Sequence, residues 1–208
     1  MQEAAKANQK GLALLSLGQP KAASYCFQEA LRLFGSIGHT SIPPLQATTL
    51  LTPPLQIVPL SSIQTDDDPS SFSCSDNRVC LIRLVDKDGV AYEMTTELLS
   101  MCAVAVVANC AVACEHQASV AEGKLRNSWY MKASSLYRRC LELLIQTQHC
   151  FDCASLVQMI AQDMAGCLYE LGDFNGVANL RNVMFQRDMY ELAIAEILEE
   201  SSISATAA

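Results

Sequence analysis

The densest group of chemically capable side chains is His149-Cys150-Phe151-Asp152-Cys153. A C-x-x-C at a helix N-terminus can lower a thiol pKa through the helix dipole and support thiol exchange. That chemistry is expected with a strand ahead of the motif in a βαβ unit, whereas here the helical string LELLIQTQ precedes it. Asp152 reads as the N-cap of the next helix, and its charge raises the pKa of neighbouring thiols. A thiol-redox or metal role for Cys150 and Cys153 is therefore the alternative reading. Cys110, Cys114 and His116 also fall within one helical stretch, but zinc wants a fourth ligand and usually paired ligand loops. They read as core, and no metal or cofactor is expected. The chain has no glycine-rich phosphate loop, no G-x-S-x-G and no H-E-x-x-H, and its three histidines, His39, His116 and His149, stand in turn or helix-end contexts. No catalytic residue is expected and the chain reads as non-enzymatic.

What must position these residues is mostly helix. The string AKANQKGLALLSLGQPKAASYCFQEALRLF places Gly11 and Ala23 where two antiparallel helices cross, because a larger side chain there would push the axes apart. Phe27 and Leu14 fill the space beside them, and Leu12, Leu15, Tyr25, Leu31 and Leu33 complete the apolar faces at three- and four-residue spacing. Gly18 ends the first helix and Gln19-Pro20 starts the second.

This segment resembles a tetratricopeptide repeat (TPR), whose pattern of small residue, glycine turn, alanine, aromatic and alanine runs over about 34 residues. One such hairpin cannot bury its own apolar face, so further copies are expected. A second copy reads Ala111, then Ala133, Tyr137 and Cys140, across a turn expected at about Gln117 to Arg126 and longer than the family's. A third carries Ala165, Leu168, Gly172, Asp173 and Phe174, while Val177, Arg181 and Met184 depart from the pattern in its second helix. The resemblance implies an all-α, TPR-like array of about three antiparallel helical pairs. It divides the chain into a first pair at 1–34, an insertion at 35–93, the second and third pairs at 94–198 and a flexible tail at 199–208.

The insertion breaks the helical pattern. Its two Pro-Pro pairs and its Ser/Asp-rich run block helix, while Leu55 to Leu60 and Val79 to Val85 are strand candidates. The turn Asp86-Lys87-Asp88-Gly89 and a return through Ala91-Tyr92 make a β-hairpin the expected form. Asp66 to Asp68 read as a solvated run, since a calcium loop would alternate its ligands around a glycine.

Composition narrows the function classes. The 208 residues carry net charge −8 and are half hydrophobic, with a pI near 4.8. Nucleic acid and anionic membrane surfaces are not expected partners, because phosphate affinity depends on clustered Lys and Arg. The N-terminus lacks a basic start and a long apolar run, so a cytoplasmic location is expected, with the ten cysteines reduced. Leu98 to Cys114 is uncharged but falls short of the roughly 20 strongly apolar residues a span needs.

TPR proteins present the first helix of each pair along a concave groove that receives a peptide or partner helix. The resemblance therefore implies a partner site at Asn8, Leu12 and Leu15, then Val112 and Glu115, then Gln162 and Tyr169. Ala108 and Gly166 lie among them. The charges there are acidic, so a neutral or basic protein segment is favoured. A self-assembling role would rest instead on the C-terminal helix, where Met184, Met189, Leu192, Ile194, Ile197 and Leu198 leave an apolar face open to a second copy.

Overall fold

A computed structural model of the chain describes residues 1–38, 55–63, 78–82, 96–146 and 154–184. Six α-helices dominate them: α1 (Gln2–Ser16), α2 (Pro20–Gly38), α3 (Thr96–Ser119), α4 (Gly123–Gln146), α5 (Ala154–Glu170) and α6 (174–184). Between α2 and α3 lie two short strands, β1 (Leu55–Pro59) and β2 (Arg78–Ile82). The protein is thus mostly helical with one small sheet.

Successive helices from α1 to α5 pack each against the next, and α1 also meets α3. The α1–α2 crossing is close because Gly11 lies against Phe27. A Cβ at Gly11 would stand 2.7 Å from Phe27 Cδ1 and closer still to Cε1, and the ring is fully buried. Gly11→Ala should therefore cost about 1–3 kcal/mol, read as a lower denaturation midpoint with an unchanged slope. A neutral result would mean that the ring has room to shift. Ala23, Phe27 and Ala30 on α2 are repeated at the same spacing on α4 by Ala133, Tyr137 and Cys140, and all six are fully buried. Tyr25, counted above in the apolar face, is instead 73% exposed.

Two of the helix ends are built alike. Gly18 takes φ +69°, its N–H donates to the Leu15 carbonyl, and the Gln19 N–H donates to that of Leu14. Gly172 takes φ +75°, its N–H donates to the Tyr169 carbonyl, and the Asp173 N–H donates to that of Leu168. These paired bonds satisfy the last carbonyls of α1 and α5 and require a left-handed residue. Asp173 then caps α6 through the Gly176 N–H at 2.9 Å.

The expected long turn of the second pair is short. α3 continues through His116 and Gln117 to Ser119, and only residues 120–122 separate it from α4. Ala118 and Gln117 are buried there, so packing extends a helix that its polar residue types had ended earlier. Residues Leu98–Ser119 form one helix long and apolar enough, by length and composition alone, to cross a membrane; 72% of its apolar window is buried inside the protein.

The two strand candidates of the insertion pair with each other. β1 pairs antiparallel with β2, Ile57 opposite Cys80 and Leu55 opposite Ile82. The turn expected at Asp86 to Gly89 and the return through Ala91-Tyr92 lie outside the described residues, as do Asp66 to Asp68, Cys150 and Cys153, and everything after Met184.

Candidate functional site

β2 lies across α1 and α3, and its centre is gripped by two buried amides. The Cys80 N–H donates to Asn109 Oδ1 at 2.8 Å, and the Cys80 carbonyl accepts from Asn109 Nδ2, also at 2.8 Å. Asn8 Nδ2 donates to the same carbonyl at 3.3 Å, and Asn109 Nδ2 also donates to Asn8 Oδ1 at 2.9 Å. Both asparagines are fully buried.

The geometry follows from the strand itself. Because both main-chain groups of Cys80 point at Asn109, the Cys80–Ile57 pair is one of those whose N–H and C=O groups face away from each other. The Asn109 carboxamide thus stands where the peptide group of a third strand would stand, offering one acceptor and one donor. Such a contact reads main chain and not side chain, so it fixes an extended conformation without dictating sequence.

One end of β2 adds a charge. Arg78 Nη2 donates to Gln162 Oε1 on α5 at 3.1 Å, and its positive charge acts on Asp163, the next residue of α5. Burial nevertheless pushes Asp163 up to about 6, since the arginine offsets only part of the desolvation. On α3, burial pushes Glu115 up to about 7; the Tyr137 hydroxyl beside it acts in the opposite direction, and the nearby Asp163 adds to the rise. One carboxyl oxygen of Glu115, one of Asp163 and the Tyr137 hydroxyl are buried without a hydrogen-bond partner. Burial thus raises two neighbouring carboxyl groups toward neutrality, Asp163 close to Cys80 of β2 and Glu115 close to Asp163.

Of the residues expected at a partner site, Asn8 and Gln162 both touch β2, and Glu115 belongs to the acidic pair with Asp163. Leu12, Leu15 and Val112 are almost completely buried core residues and offer no free contact surface. Tyr169 is 64% exposed and stacks edge-on with Phe174 at 5.6 Å between ring centroids, away from the asparagines. Sequence reasoning missed Asn109, Arg78 and Cys80. The available signal was Asn109 itself, a lone amide within an uncharged apolar helix, which has to find a polar partner once buried.

Among the described residues, the six buried thiols carry no sign of activation. Burial pushes Cys80, Cys102 and Cys110 up to about 12 and Cys114 to about 11, and raises Cys140 and Cys167 further. These are packed apolar side chains, poor in the thiolate that exchange requires. Among the described residues no three of His, Cys, Asp and Glu are grouped to hold a metal ion.

Compared with protein-family models, with curated proteins and with solved structures, the chain gives no match.

Proposed function

We propose that this protein is a non-enzymatic interaction module, a TPR-like helical scaffold that receives an extended protein segment on the face formed by α1, α3 and α5. The observation that carries the reading is the double contact of Asn109 with the N–H and C=O of one residue. A buried amide used in this way recognises a strand through its main chain, as in strand-addition modes of peptide recognition. Gln162 and Asp163 supply the second element, a place for a guanidinium or ammonium group at one end of that strand. With Glu115 close to Asp163, they favour a neutral or basic segment over an acidic one. Tyr169 and Phe174 lie outside this face and serve it only if the segment runs on past α5.

The test is a peptide-display selection on the intact chain, followed by a salt titration of the enriched sequences. Enrichment of a basic residue next to an extended apolar run is expected, with affinity falling as salt rises. Substituting Gln162→Ala with Asp163→Ala should abolish the preference for the basic residue. Enrichment of acidic sequences, or binding indifferent to both substitutions, would remove this face from the proposal. The alternative self-assembly reading would appear in the same material as a concentration-dependent change in size.

A further inference from the structure

We infer that β2 is a built-in ligand of this face, and that a partner binds by exchanging with it, supplying a strand of the same chemistry: a basic residue, then an apolar residue, then a buried residue whose main chain the two asparagines take. The inference rests on the interaction reading above and adds the identity of the competing occupant.

Three observations carry it. First, beside the ladder with β1, the polar contacts that hold β2 to the helices are the ones an incoming segment would need: the Asn8 and Asn109 amides on the main chain of Cys80, and Gln162 on Arg78. Second, the face tolerates no vacancy. With β2 gone, Asn8 and Asn109 would keep only each other, and buried apolar residues of α1 and α3, on which the strand packs, would face water. A helix cannot replace the strand, because its own N–H and C=O groups are already paired and leave the Asn109 carboxamide without a counterpart. The partner is therefore an extended segment. Third, the clamp itself takes main chain, and what surrounds it asks for buried side chains at the centre and a positive charge at one end. Cys80, Val79 and Ile82 are buried, whereas Arg78 is exposed and meets the acidic side of α5. A segment from another protein with those features presents the same groups to the face as β2 does, and differs only in not being tethered.

Tethering gives β2 a high effective concentration, so the intact chain should take a free peptide weakly, and loosening β2 should tighten binding. The probe is a labelled synthetic peptide of residues 76–84, measured by fluorescence anisotropy against the full chain and two variants. Val79→Asp places a charge in the buried side of β2. Arg78→Glu leaves the buried residues alone and reverses the charge that meets Gln162 and Asp163. The expected result is at least about tenfold tighter binding by Val79→Asp than by the natural chain, and a smaller gain for Arg78→Glu. If Val79→Asp does not keep its helical circular dichroism, Arg78→Glu decides alone. Equal affinity for the natural chain and the folded variants would overturn the exchange while leaving the interaction face standing. No binding to any folded form would remove the face as well. A natural-sequence dimer whose strands have swapped between copies would also overturn the assignment, because the occupant would then be a second copy of this chain.

Discussion

Asn109→Ala should lower the stability of the protein by about 3–5 kcal/mol, the largest effect expected of any single polar substitution among the described residues. The carboxamide makes three hydrogen bonds at full burial. Its removal leaves the Cys80 N–H without a partner and Asn8 Oδ1 without its donor, in a place water does not reach. Each orphaned group costs about 1–3 kcal/mol, and the small cavity adds to that. Asn8→Ala should cost less, because the Cys80 carbonyl would still accept from Asn109 Nδ2. Asn109→Asp separates the two halves of the contact: it keeps an acceptor for the Cys80 N–H and loses both donated bonds. Urea unfolding of the three variants provides the check. A loss below about 1 kcal/mol for Asn109→Ala would mean that β2 is not held as described.

The second large effect is on pH dependence. Glu115 and Asp163 both have folded pKa values above their ordinary ones, about 7 and about 6. The folded protein therefore binds protons that the unfolded chain has released. Their contribution to stability is fully present below about pH 4, falls as the pH rises, and is gone above about pH 7. The raised pKa of Glu115 is worth on the order of 3 kcal/mol across that window, with Asp163 adding a smaller share because Arg78 offsets part of its burial. Glu115→Gln should flatten the profile by making the side chain neutral at every pH. The measurement is the unfolding midpoint in denaturant at pH 5, 6, 7 and 8. A midpoint that rises over this range would show that the two carboxyl groups are stabilised in their charged form, contrary to their desolvation.

Parts of this structure are legible in the sequence for clear physical reasons. Gly11, Ala23 and Phe27 announce a close helix crossing because only small residues permit it, and the glycines at 18 and 172 announce helix ends because only left-handed residues fit there. These are local demands, each satisfied within about one hairpin. The placement of β2 is not local. Asn8, Cys80 and Asn109 span most of the distance between the first and second helical pairs, and nothing near Cys80 says which helices will receive it. Leu12, Leu15 and Val112, expected to face a partner, are buried: apolar spacing does not distinguish a residue facing a partner from one packed in the chain's own core. The turn after α3 is shorter than expected for a related reason: Gln117 and Ser119 look like loop residues until packing buries Gln117 and Ala118, and Gly123 to Arg126 already belong to α4.

The amide that grips β2 also bears on how the protein behaves in a crowded solution. A two-stranded sheet has two edges, and each row of unpaired N–H and C=O groups is a template on which another molecule can begin to aggregate. At Cys80 the outer edge of β2 is already occupied by Asn109. On β1, Pro59 has no N–H to give. The sequence RVCLI, apolar after its first residue and by itself suited to cross-β stacking, is thus kept from other chains chiefly by Asn109, with Asn8 sharing the Cys80 carbonyl. Asn109 is in this respect a safeguard against fibre growth, and proteins that lose it should precipitate under conditions in which the natural chain stays clear.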